Sequence, residues 1–284
     1  MPGIGSDKMR CVPCAAVALL ASMAWLAGCA AHDDRAATKG SWAAEVLYPE
    51  GSSGKGFSPG AFPGNENQER GYNLYILTQA IGLDFASPQQ FLRTLHRPPQ
   101  NAKDAQVVGH SWIILQSPTQ LLECGHTGEF GISQPTYYQD VLRRIHDGDP
   151  NPISYLWETM QDGQFHAGPG SHKPSFVFRL PITPEQYKAI HSYIDSYDYK
   201  PFALTGHACA DFAAGASKLA GLRLAYQVRL AVPSEMAYEG RTVRLWSDPQ
   251  FRTLTVGSPD VMESYLRRLA RDGIGQDATK WYFQ

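Results

Sequence analysis

Cys209 stands where an extended segment, "YKPFALTGHA" from Tyr199, runs into the small-residue stretch "CADFAAGASKLAGL". That stretch reads as a helix closed by Gly221 in the C-terminal capping position. Cysteine attacks as its thiolate; a helix start lowers the thiol pKa, and the free amides of the first turn offer an oxyanion hole. Such a nucleophile also needs an imidazole from elsewhere in the chain. His110 is the best placed, because it opens "HSWIIL", a strand that is otherwise largely apolar. A third group would orient the ring. The candidates, Glu123 and His126 in "QLLECGHTGE", fall on opposite faces of a strand, so only one of them can serve. His126, at the strand end, is preferred, and Glu123 stays as the alternative. Asp211 falls in the first turn of the Cys209 helix, where it complements the helix dipole and opposes thiolate formation.

These residues depend on a hairpin and a helix. "QVVGHSWIILQSPTQLLECGHTGE" has two apolar runs flanking "QSPTQ", the pattern of a β-hairpin. Upstream, "NLYILTQAIG" is read as a helix, and Ser87-Pro88 as the capped start of another. Residues 130–174 form a long loop-rich excursion with a short helical pattern at "TYYQDVLRRIHDG". His166 and His172, in "FHAGPGSHKP", are expected in solvent, and His207 as a cap or surface residue. "SFVFRLPI" reads as a strand, and Thr183 caps a helix over "PEQYKAIHSYIDSYD". "VRLAVPSEMAYEG" and "RTVRLW" give short strands, and Ser258 caps a late amphipathic helix.

The N-terminus has a different character. Lys8 and Arg10 precede the apolar run "VPCAAVALLASMAWLAG", too short for a comfortable membrane span and ending in small residues. Leu26-Ala27-Gly28-Cys29 resembles the lipobox of bacterial lipoproteins. That resemblance implies a signal peptide over 1–28, lipidation of Cys29, membrane anchoring outside the cytoplasm and, with Ala30 following, the outer membrane. Residues 29–68 read as a flexible tether and 69–284 as a single α+β domain. With Cys11 and Cys14 removed and Cys29 lipidated, Cys124 and Cys209 remain. An even pair in an oxidising compartment also admits a Cys124–Cys209 disulfide.

The order of these features, "GHSWIIL" on one strand of a hairpin, a polar residue on the next, then "YKPFALTGHACADFAAGASKLAGL", resembles the circularly permuted NlpC-like branch of papain-like cysteine hydrolases. Relatives of lecithin retinol acyltransferase belong to that branch. Cys209, Phe212, Leu219 and Gly221 match its cysteine phrase and His110 its strand histidine. Many members carry Asn before the cysteine, where this chain has Ala208. The resemblance covers about 106–222 and implies a small antiparallel sheet packed against helices, with a peptidoglycan amide or a lipid or protein acyl group as substrate.

Composition agrees with a soluble globular protein. The chain has 284 residues, 43% hydrophobic and 18% charged, with a net charge of -2, which leaves no basic surface for nucleic acid. No zinc-ligand spacing occurs, and the chemistry needs no cofactor. The expected function is therefore a lipid-anchored envelope cysteine hydrolase working through a thioester. The alternatives are a non-catalytic lipoprotein with the disulfide, and an acyltransferase using the same thioester.

Overall fold

The computed structural model describes residues 44–49, 71–82, 109–128, 141–158, 161–170, 172–238 and 240–284, all within one compact unit, Lys39–Gln284. Among the described residues eleven strands run β1 (Ala44–Leu47), β2 (Asn73–Gln79), β3 (His110–Gln116), β4 (Leu121–Thr127), β5 (Gln164–Ala167), β6 (Phe176–Pro181), β7 (Gln227–Ala231), β8 (Glu235–Tyr238), β9 (Arg241–Arg244), β10 (Thr253–Gly257) and β11 (Gln276–Asp277). Helices are α1 (Pro184–Ser196), α2 (Cys209–Leu219), α3 (Pro259–Arg271) and α4 (Thr279–Tyr282), with a further helical stretch at 141–146. The architecture is mixed α+β, built on antiparallel sheets packed with helices.

The main sheet has six strands in the order β11-β6-β2-β3-β4-β5. Both faces of its centre are covered. On one side Leu74, Ile76, Ile113, Leu115, Phe176 and Phe178 pack under α1, α2 and α3. On the other, Tyr75, Leu77, Trp112, Ile114 and Val177 meet Ala278 and Tyr282 of the C-terminal segment. A strand buried on both faces carries an unbroken apolar run. This is why "NLYILTQ" shows no alternation: the expected helix there is in fact strand β2, paired with β3 and β6.

The hairpin over "QSPTQ" forms as its apolar runs require, β3 and β4 pairing from Gln116↔Leu121 to Ile113↔Cys124. Ser117 closes the turn by accepting from the Gln120 N–H at 3.1 Å. Helix α1 starts at Thr183, whose hydroxyl accepts from Gln186 N, while Ser258 caps α3 through Val261 N. Alanines 210, 213, 214 and 216 are buried along α2 and let it lie close to the sheet. Its end is marked by Gly221 at φ +84°. Helix α3 is fastened to the sheet by Glu263, which accepts from Thr78 Oγ1 at 3.0 Å, from Ser175 and from Arg267 Nε at 2.9 Å.

A second, three-stranded sheet of order β1-β7-β10 is lined by Val228, Leu230, Leu254 and Val256. Within the tether expected over 29–68, Ala44–Leu47 is instead an edge strand paired with β7 in the register Ala44↔Leu230 to Leu47↔Gln227, and residues 29–43 and 50–68 lie outside the described residues. Glu45 also meets Arg229 there at 3.2 Å. The signal peptide expected over 1–28, Cys29 and the cap at Ser87-Pro88 lie outside the described residues. Among the described residues no helix is long and apolar enough to cross a membrane.

Phe212 is fully buried where α2 meets the sheet. Replacing it with Ala leaves a cavity that α2 has little freedom to fill and is expected to cost ~3–5 kcal/mol, read from urea unfolding.

Candidate active site

The chain approaches α2 through a tight turn in which Ala203 N–H donates to His207 O at 3.1 Å and Gly206 adopts φ +82°. Ala208 is the extended N-cap and Cys209 the first helical residue. Asp211 closes the turn: Oδ2 accepts from Ala208 N–H at 2.9 Å and Oδ1 from the Tyr226 hydroxyl at 3.0 Å. Cys209 is 9% exposed and turned to the sheet, where the Ser111 backbone N–H and the Ala210 N–H both favour its thiolate. Ser111 lies beyond the end of the β3–β4 pairing, and its Oγ is fully buried with no hydrogen bond of normal geometry. That hydroxyl also faces the sulfur. Burial outweighs these donors, and with the Asp211 carboxylate nearby it raises the thiol pKa.

His110 does not reach this sulfur. It shares the face of Trp112, on which it stacks, while its neighbour Ser111 turns to the face covered by α2. The expected Cys209–His110 pair is therefore not formed, since consecutive strand residues point opposite ways. His110 Nε2 instead lies 3.0 Å from His166 Nε2, and its ring stacks on His172 at 3.8 Å. His166 and His172, expected in solvent, are half-buried partners in this cluster: His166 Nδ1 bonds Gly168 O at 3.0 Å and His172 Nδ1 bonds Gln79 Oε1 at 2.9 Å. Glu123 belongs to the same face, where it accepts from Trp112 Nε1 and the Tyr282 hydroxyl, each at 2.8 Å, and it orients no imidazole by hydrogen bond. Among the described residues no group of His, Cys, Asp and Glu could hold a metal ion.

His126 lies on the α2 face. It follows Cys124, which is buried in the core beneath α1 and α2, by two residues. Its Nε2 lies 3.0 Å from Tyr199 O, and a carbonyl only accepts, so Nε2 carries the proton. Its Nδ1 is then the bare nitrogen and accepts from the Tyr197 hydroxyl at 3.2 Å. The His207 ring stands edge-on to His126 at 5.2 Å and lies flat on Tyr197 at 4.9 Å, fixed by a bond from Nε2 to Asp198 O at 2.9 Å. Burial and the His207 ring hold the His126 pKa down at about 4. The site thus rests as a neutral thiol and a neutral imidazole in one layer. Cys124 and Cys209 are both free thiols, so the disulfide alternative is not formed; burial pushes the Cys124 thiol up to about 12.

A cleft of about 610 Å³ opens beside α2. His207, Asp211, Ala214, Gly215 and Lys218 line it, the α2 residues forming the face turned away from Cys209, and Tyr197 connects it to His126. Sequence reasoning passed over Ser111 and Tyr197. Alternation could have identified Ser111, because a hydroxyl beside the strand histidine takes the opposite face; nothing local marks Tyr197. No family model, curated protein or solved structure matches the chain.

Four imidazoles, of His110, His126, His166 and His172, are held below the ordinary value of 6.5, His126 and His172 at about 4. A depressed histidine binds fewer protons folded than unfolded, so stability is complete above about pH 6.5 and is lost as pH falls towards 4. The Asp211 carboxyl, raised by burial, pulls the other way but is a single group. Thermal melts are expected to show a plateau near neutrality and a fall between these limits. In His172→Gln the fall should be shallower by up to one proton, ~1.4 kcal/mol per pH unit.

Proposed function

We propose that this chain is a cysteine hydrolase that opens an amide or acyl bond through a thioester on Cys209, with His126 and not His110 as its base. The observation that carries the reading is the setting of the sulfur: first residue of α2, with the Ala210 N–H, the Ser111 N–H and the buried Ser111 hydroxyl around it. Donors so arranged suit a thiolate and then a carbonyl oxygen that gains charge. His126 supports the same reading, since its Nε2–H is held by the Tyr199 carbonyl and its other nitrogen accepts from a tyrosine hydroxyl.

In the reaction, the Cys209 proton passes to His126 Nδ1 once the Tyr197 hydroxyl gives up that position. The sulfur adds to the carbonyl carbon, and the C–N or C–O bond breaks as the imidazolium returns its proton to the leaving amine or alcohol. Water, deprotonated by the same nitrogen, then cleaves the thioester and restores the thiol. An amine in place of water makes the step an acyl transfer. The permuted papain-like fold belongs to this proposal, the histidine-bearing hairpin preceding the cysteine helix. Lipid anchoring at Cys29, a periplasm-facing outer-membrane location and a cell-wall peptide as substrate belong to it as well.

Alkylation of the native chain with iodoacetamide near pH 7.5, followed by peptide mapping, tests the reading. Cys209 should react at least ~10-fold faster than Cys124, as a thiolate-forming site requires. His126→Gln should slow that reaction ~10-fold or more and His110→Gln leave it within about twofold, with circular dichroism verifying both folds. A Cys209 no more reactive than Cys124 would sink the proposal.

A further inference from the structure

The two nitrogens of His126 are held by unlike means. At Nε2 the backbone closes in: Gly163 N–H donates to Lys200 O at 2.9 Å, and a Cβ at Gly163 would collide with Tyr199 O and stand 2.8 Å from Nε2. At Nδ1 the partner is a side chain, the Tyr197 hydroxyl at 3.2 Å. That hydroxyl is placed by the packing of its ring. His207 lies flat on it at 4.9 Å, 2° from parallel, Tyr199 tilts against it at 4.8 Å, and Phe212 and Tyr193 meet it edge-on at 5.0 and 5.4 Å. His207 is itself tied down, its Nε2–H donating to Asp198 O at 2.9 Å. Burial first, then Tyr193, Asp211, Tyr199 and Cys209, raise the Tyr197 pKa, so the phenol keeps its proton and stays a donor.

A hydroxyl that donates to a bare imidazole nitrogen stabilises the neutral ring and disfavours the imidazolium. It also occupies the lone pair with which a base takes its proton. We propose that Tyr197 is a positioning residue that restrains the base: its hydroxyl, held by the His207 stack, keeps His126 Nδ1 engaged, and Cys209 is activated when that bond is released. This rests on the reading of Cys209 as nucleophile and His126 as base. The other groups that act on the His126 ring are His207 from the loop before α2, His166 from β5, and the carbonyls of Tyr199 and Pro201 after α1. Burial first, then the two imidazoles, lower its pKa against the pull of the carbonyls, and no carboxylate is among these groups. Tyr197 and His207 both line the cleft beside α2, a surface to which neither His126 nor Cys209 contributes. The restraint can therefore be disturbed from a side other than that of the sulfur.

Tyr197→Phe in the full chain tests this, since it removes the hydroxyl and keeps the ring. The His126 titration, followed by NMR downward from neutrality, should rise by ~0.5–1 pH unit from about 4, the effect of one lost hydrogen bond to the neutral ring. Alkylation of Cys209 by iodoacetamide near pH 7.5 should become ~3–10-fold faster, the same change read at the sulfur. Tyr193→Phe, which deletes a hydroxyl of the same aromatic cluster from Phe212 O, should leave the titration within about 0.2 unit and the rate within about twofold. An unmoved titration in Tyr197→Phe, or a slower Cys209, overturns the proposal. So does a nitrogen chemical shift in the unaltered chain that puts the His126 proton on Nδ1, a reading that needs no variant to fold. The two readings fail separately: a Cys209 unreactive in both proteins while the titration moves sinks the hydrolase, and a reactive Cys209 with the titration unmoved sinks the restraint alone.

Discussion

Because β3 runs through the middle of a sheet covered on both faces, each of its side chains must be satisfied by whichever layer it enters. The two-residue period leaves no third choice. His110, Trp112 and Ile114 go to the C-terminal layer, and Ser111, Ile113 and Leu115 to the helical layer. A one-residue slip would exchange the two sets and bury an imidazole against α2. The apolar members make that slip costly, so the polar members are held in place by their neighbours. The sulfur of Cys209 faces a hydroxyl because isoleucine and leucine fix the register.

Two imidazole environments follow from this division. On the C-terminal side three rings pack together, His110 on His166 by Nε2, His172 stacked on His110, with Gln79 and a backbone carbonyl as further partners, and burial disfavours their protonation. On the helical side His126 is tied at both nitrogens, but by bonds of unlike permanence. The Tyr199 carbonyl is backbone, while the Tyr197 hydroxyl sits on a side chain that also lines the cleft. Asp211 expresses the same tension: it holds the start of α2 in shape by accepting from Ala208 and opposes the charge that a working thiol needs. Burial that favours its neutral form softens this conflict.

Elements with local chemistry were legible in the sequence. The hairpin followed from its apolar runs, α1 and α3 from the caps Thr183 and Ser258, and α2 from its alanines and Gly221. Strand β2 was not, because a strand covered on both sides and a buried helix share the same unbroken apolar run. The Cys209 setting was half legible: the helix start was evident, but which imidazole shares its layer depends on where α2 docks. His166 and His172 were misread for a related reason, since glycine and proline around them look like open loop while the cluster that receives them is assembled from β2, β3 and β5.

The strand leading into the outer wall of the cleft, β1, pairs with a partner far along the chain, Glu45 and Arg229 being 184 positions apart. Closing so long a loop carries a large entropic cost before any contact offsets it, and a four-residue strand brings little with which to do so. The wall that holds Leu47 and Tyr48 is consequently the part of the cleft with the most distant partners in the chain, Tyr48 meeting Tyr265 and Arg268 of α3. The outer wall of the cleft thus depends on the pairing of β1 with β7, while the sulfur and its donors are held by α2 and β3.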